Sequence, residues 1–181
     1  MQAQAELFGA GEALPEGMRY APEFITREEE AALLRTIAEL PFTEAKYREY
    51  TARRRIVLYG PGIPEFLLPL RDRLAAWMGI ARDEFRHALI NEYRPGTPLG
   101  WHRDAPEYGV VAGVSLGAAC IMRLRPYPPR RGRNPHAMSL TLEPRSAYVF
   151  RASVRWSWQH SIPPTRALRY SVTFRTGREV A

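Results

Sequence analysis

With 181 residues, 45% of them apolar and 25% charged, the chain has the size and composition of one ordinary globular domain, and it contains no apolar run near the ~18 residues of a membrane span. Its net charge of +7 is carried almost wholly by arginine, with Lys46 the only lysine, which suits either a polyanionic partner or a GC-rich coding sequence. A single cysteine, Cys120, excludes an internal disulfide and a cysteine-based zinc cluster, so a bound metal must draw on His, Asp or Glu.

Residues 1–22 mix Gly, Pro, Ala and Glu without a clear period and read as an extended arm of a single domain spanning 1–181. No basic stretch followed by an apolar one marks a secretory signal, which makes the cytoplasm the expected location. Thr26 and Glu29 form a capping-box pattern, and Ala31, Leu33, Leu34, Ile37 and Leu40 then recur at helical spacing up to Pro41, which predicts a helix of about four turns. The run Arg53-Arg54-Arg55 reads as exposed. A second helical pattern spans 64–78, with Phe66, Leu67, Leu70, Leu74 and Trp77 on one side. From residue 85 the pattern changes to short strands at 87–93, 110–116, 121–124, 138–142, 147–150 and 168–174. Residues 126–135, which hold Arg130, Arg131 and Arg133, read as a long loop. The expectation is therefore a mainly β, α+β fold: two helices followed by a compact antiparallel sandwich or barrel.

Two segments carry chemistry. Trp101-His102-Arg103-Asp104 follows Pro98-Leu99-Gly100, so the H-x-D pair sits where both side chains can turn toward one point, and His160 lies 58 residues later. Two imidazoles and one carboxylate on one face of an octahedron leave three positions open, the geometry of non-haem Fe(II). A histidine in a Trp-rich strand is, in the other reading, a core residue, and Trp156 and Trp158, alternating toward His160, read as core. In the last strand Leu168, Tyr170, Val172 and Phe174 alternate with Arg169, Ser171, Thr173 and Arg175. The two arginine Cα atoms are separated by roughly 20 Å, a span that a dicarboxylate held between two guanidinium groups can bridge. A solvated strand face is the alternative. Leu89, Asn91 and Tyr93 form a second alternating face that offers an amide and a phenol to carboxylates.

Taken together, Asn91-x-Tyr93, Pro95-Gly96, His102-x-Asp104, Val114-Ser115-Leu116-Gly117, His160-Ser161-Ile162 and Arg169-x-Ser171-x-Thr173-x-Arg175 resemble the AlkB family of 2-oxoglutarate dioxygenases over about residues 85–176. The resemblance implies a double-stranded β-helix (jelly-roll, cupin-like) core, with Fe(II) on His102, Asp104 and His160 and with 2-oxoglutarate and O2 as cosubstrates. It also implies that Asn91 and Arg175 lie near the oxalyl end of 2-oxoglutarate and Tyr93 and Arg169 near its distal carboxylate, with Ser171 and Thr173 between them. Ser171 stands where the family often has Asn. Ala105-Pro106-Glu107 replaces the acidic pair that several nucleobase demethylases carry after H-x-D, leaving Glu107 as the substitute. By position, Tyr47, Tyr50 and Tyr59 with Arg53, Arg54 and Arg55 match the family's substrate lid, able to stack a flipped base and grip phosphates. Trp101 is a further stacking surface. The implied activity is oxidative demethylation of alkylated nucleobases in DNA or RNA by a monomer. The same chemistry on a modified tRNA base, a methylated protein or a small molecule, and a noncatalytic cupin-like metal-binding module, are the alternatives.

Overall fold

A computed structural model of the chain describes residues 13–46, 51–129 and 137–178, with the backbone alone at 46 and 51–53. In chain order the elements are β1 (Met18–Ala21), α1 (Arg27–Ala38), β2 (Thr43–Lys46), β3 (Thr51–Tyr59), α2 (Leu68–Met78), β4 (Phe85–Tyr93), β5 (Leu99–His102), β6 (Tyr108–Gly117), β7 (Cys120–Pro126), β8 (Met138–Leu142), β9 (Ala147–Phe150), α3 (Ala152–Ser157), β10 (Trp158–Ile162) and β11 (Arg169–Gly177). They form a seven-stranded sheet, ordered β1-β9-β6-β11-β4-β3-β2, and a four-stranded sheet, ordered β5-β10-β7-β8. Every pairing is antiparallel. The two sheets face each other as a double-stranded β-helix.

The helices cover the outer face of the large sheet. Thr26 caps α1 through a reciprocal box, its hydroxyl accepting from the Glu29 N–H at 3.2 Å while the Glu29 carboxylate accepts from the Thr26 N–H at 2.8 Å. Ile37 is buried and Leu33, Leu34 and Leu40 pack beside it, whereas Ala31 is exposed. A 3-10 turn over 65–67 leads into α2, which buries Leu70, Leu74, Ala75 and Met78 and stops at Gly79, whose left-handed φ of 72° a side chain rarely adopts. Both helices close over Ala88, Ile90, Ala112, Val114, Val149, Tyr170, Val172 and Phe174.

Alternate residues of the same strands face the smaller sheet. There Tyr93, Val111, Tyr148 and Phe150 meet Met122, Leu124, Leu140, Leu142 and Ile162 in a second core. A one-residue slip in β11 would exchange these two faces, so its register, with Arg169 opposite Tyr93, Ser171 opposite Asn91 and Thr173 opposite Leu89, decides what lines the interior.

Three sequence expectations need correction. The extended arm is shorter than 22 residues: Met18–Ala21 forms β1 and pairs with β9, with Met18 and Tyr20 buried in the second core. The run before His160 is not a continuous strand, because residues 152–157 form α3. Consequently Trp156 is 37% exposed rather than core, while Trp158 does pack against the inner core.

Candidate active site

β5 and β10 are neighbours, and their register places His102 directly opposite His160. The two imidazole centroids lie 4.2 Å apart. With Asp104, two residues past the end of β5, they bring three potential ligand atoms within 4.8 Å of one another. The His102 Nδ1 sits 2.9 Å from the Gly100 carbonyl, which leaves Nε2 to face the other two ligands. Phe150 packs against His160 at a ring-centroid distance of 5.0 Å. Burial, reinforced by the charge of His102, pushes the His160 imidazole down to about 3, and burial lowers that of His102 too. Both rings are therefore neutral ligands at physiological pH. Burial alone would raise the Asp104 carboxyl, but the neighbouring imidazoles and the Arg175 and Arg155 guanidinium groups outweigh it and hold the carboxyl below its usual range. Two neutral imidazoles and one carboxylate are the donor set that Fe(II) takes in a facial triad.

Beside the triad, β11 turns its polar face inward. Arg169, Ser171, Thr173 and Arg175 are all buried, so the strand face is part of the interior rather than solvated surface. The Asn91 amide donates to the Ser171 hydroxyl at 3.3 Å, Arg169 Nε donates to Ser115 Oγ at 3.1 Å, and the Arg169 guanidinium stacks on Tyr93 at 5.0 Å. Arg175 lies 3.6 Å from the Asp104 carboxylate and over the Tyr108 ring. Among the described residues, Arg169 Nη1 and Nη2, Arg175 Nε and Asn91 Oδ1 are buried without a hydrogen-bond partner. Buried guanidinium N–H groups without a partner are costly, which is the signature of a site built to take an anion at each end of the strand. A dicarboxylate such as 2-oxoglutarate fits that arrangement.

Sequence reasoning missed three contributors. Ser115, on β6, fixes Arg169. Tyr148, on β9, lies flat across Gly113, where an added Cβ would meet its ring at 2.5 Å. Burial raises the Tyr148 phenol, which sits in the fields of Arg169, Tyr93, Asp104 and Arg175 and so remains a protonated hydroxyl between the two arginines. Arg155, on α3, is 3% exposed and donates to the carbonyls of Gly109 at 2.8 Å, Asp104 at 3.3 Å, Ala105 at 2.7 Å and Tyr108 at 2.6 Å. The two-residue period of a strand is the signal that would have turned Ser115 and Tyr148 toward the interior. For Arg155 no local pattern existed.

The expected lid divides. Tyr47 and Tyr50 lie outside the described residues, and so does the side chain of Arg53. Arg54 faces the triad, its charge acting on both His102 and His160. Arg55 does not: it pairs with Glu92 at 2.9 Å and donates to the Phe42 carbonyl on the helix side of the sheet, where Tyr59 also packs. Strand alternation sends neighbours to opposite faces, so 54 and 55 cannot both serve a lid. Trp101 is 36% exposed with the Arg125 guanidinium 4.2 Å from its ring centre, and Arg125 donates to Gln159, next to His160. Glu107 is exposed in the turn after Asp104.

Comparison with known proteins agrees with this geometry. The family model described as the 2OG-Fe(II) oxygenase superfamily matches residues 42–175. The chain is 25% identical to the uncharacterized protein L905 of Acanthamoeba polyphaga mimivirus, over 88% of this chain and 84% of that protein. It is 24% identical to the probable RNA/DNA demethylase ALKBH6 of Danio rerio, over 82% of this chain and 70% of that protein. The solved structure of OsALKBH1 superposes with a TM-score of 0.66 at 18% identity, covering 91% of this chain and all of that one. Family match, fold and metal-competent triad converge: the chain is similar to AlkB-type proteins and belongs to the 2OG-Fe(II) oxygenase superfamily, as a dioxygenase that uses Fe(II), 2-oxoglutarate and O2.

Proposed function

We propose that the enzyme removes N-alkyl groups from nucleobases of DNA or RNA, with His102, Asp104 and His160 holding the iron and the β11 arginines holding 2-oxoglutarate. The observation that carries the substrate half is Arg54, which projects its charge onto both histidines from β3 and so stands where a substrate phosphate would approach the metal. The zebrafish relative's description as a probable RNA/DNA demethylase supports the same class.

The chain's own residues do three things. Arg169, oriented by Ser115 and backed by Tyr93, binds one carboxylate of the cosubstrate, and Arg175 with Asn91 receives the other end. The Tyr148 hydroxyl offers a donor between them. The buried interior excludes water from the reacting centre, while exposed Trp101 and half-buried Arg54 bracket the way in. When bound, iron, 2-oxoglutarate and O2 supply the oxidising chemistry, yielding succinate, carbon dioxide and a hydroxylated substrate C–H bond. A hydroxylated N-methyl group then leaves as formaldehyde.

Succinate formation with Fe(II) and no substrate, lost in His102→Ala, tests the enzyme. Formaldehyde release from N-methylated oligonucleotides, reduced at least tenfold in Arg54→Ala, tests the substrate. Succinate formation stimulated by a methylated peptide or a modified tRNA base, with none from methylated oligonucleotides, would instead assign the other substrate class.

A further inference from the structure

The six-residue helix α3 stands between the two halves of the iron triad. It is followed directly by β10, which carries His160, and its Arg155 side chain reaches back to the loop that begins at Asp104. One buried guanidinium there serves four carbonyls, those of Asp104, Ala105, Tyr108 and Gly109. The tie is made a second time in the opposite direction, because Arg103, between two iron ligands, donates to the Trp156 carbonyl at 3.0 Å. Helix α3 is itself pinned at its start, where the Arg151 and Val154 N–H groups donate to the carbonyls of Gly17 and Glu16. Gly17 has a φ of +83°, and a Cβ there would fall 1.9 Å from the Arg151 carbonyl.

We propose that Arg155 is a positioning residue for the iron carboxylate: by holding the carbonyls of Asp104, Ala105, Tyr108 and Gly109, it sets the distance and orientation of Asp104 relative to His160. A guanidinium suits this task because its planar fork presents five donors at fixed angles, and a lysine in its place offers only a point charge. The segment after Asp104 has backbone ties of its own, from the Arg178 N–H to the Glu107 carbonyl and from the Tyr108 N–H to the Ala105 carbonyl where β6 begins, and Arg175 meets the Asp104 carboxylate at 3.6 Å. Arg155 adds the link from this segment to α3 and so to His160, and without it the carboxylate would shift relative to the two histidines, which β5 and β10 keep in place.

The proposal rests on the iron reading of the triad, and its test separates the two. Co(II), whose visible bands report ligand geometry, is titrated into the whole protein and into Arg155→Ala, Arg155→Lys, His102→Ala and Leu74→Ala. Arg155→Ala is expected to bind Co(II) about 10- to 100-fold more weakly, the range seen when a partner of a metal ligand is removed, and with altered band positions. Arg155→Lys should recover part of the loss, and it keeps the test decisive if Arg155→Ala does not fold. Leu74→Ala, which opens a cavity among the helices, should melt at lower temperature yet bind Co(II) as the parent does. Unchanged affinity and bands in both Arg155 variants, or equal weakening in Leu74→Ala, would overturn the positioning role alone. Retention of the bands in His102→Ala would overturn the iron reading with it.

Discussion

At the residue scale the most telling group is Arg169. It is 1% exposed, its Nε is held by Ser115, and its two Nη atoms meet no partner among the described residues. Hydrogen bonds to charged groups contribute about 1.5–3 kcal/mol, and each ~1.4 kcal/mol is tenfold in affinity. Arg169→Ala should therefore raise the KM for 2-oxoglutarate by about 10- to 100-fold, measured from succinate formation. Ser115→Ala removes only an orienting bond and should raise it about fivefold. If Ser115→Ala were as severe as Arg169→Ala, the serine would have to contact the cosubstrate itself. The inward face of β11 was legible in the sequence because a strand has a period of two, so four alternate polar residues among apolar ones must share one side. The same rule, applied to 54 and 55, would have kept Arg55 out of the lid. Arg155 was illegible for the opposite reason: its four acceptors lie 46 to 51 residues away, and no local period encodes them.

The elements themselves differ in how much of their stability is local. Helix α1 carries its own start signal, the reciprocal bonds of Thr26 and Glu29, with Glu28, Glu29 and Glu30 in its first turn and Arg35 in its last. Those features are readable from sequence, and the helix was. Replacing an N-cap threonine by alanine costs about 1 kcal/mol, or roughly 2–4 °C in a chain of this size. Thr26→Ala should show that drop in thermal melting with 2-oxoglutarate turnover unchanged, since α1 packs on the far side of the large sheet from the triad. A fall in turnover would mean that the helix layer sets the register of β11 more tightly than its contacts indicate. Helix α3 is the contrary case. Six residues are too few to form a helix alone, and alternating Trp156 and Trp158 imitate a strand. Only tertiary bonds, from Glu16 and Gly17 at one end and through Arg155 at the other, select the helix. Similarly, β1 and β5 are four residues each and contain no strong alternation, so their pairing partners rather than their sequences define them.

Over the whole molecule, charge is divided along the chain. Residues 1–92 hold 12 basic and 15 acidic side chains, whereas residues 93–181 hold 14 arginines against 4 carboxylates, so the net charge of +7 resolves into −3 and +10. The second half supplies most of the barrel, including the strands that carry the iron ligands and the arginines that rim them: Arg125 on Trp101, Arg103 on Tyr127 at 4.0 Å, and Arg178 beside Trp156. The acidic half supplies the helices on the opposite side of the large sheet. A polyanion would thus be drawn to the side of the molecule on which the triad opens. Two ligands of the same enzyme should then respond differently to salt. For a single-stranded oligonucleotide the logarithm of affinity should fall with the logarithm of salt concentration at about −0.7 per phosphate contacted, so four contacts would cost close to fiftyfold between 50 and 200 mM. The arginines proposed to hold 2-oxoglutarate are 1% and 7% exposed, so counterions have little access to them and the KM should change less than twofold over the same range. Fluorescence titration of a labelled oligonucleotide and succinate kinetics, run in the same salt series, compare the two directly. A flat oligonucleotide slope would disconnect the basic barrel from any nucleic acid and leave the +10 as coding bias, whereas a steep slope that Arg125→Ala lessens by about 0.7 would place one phosphate over Trp101.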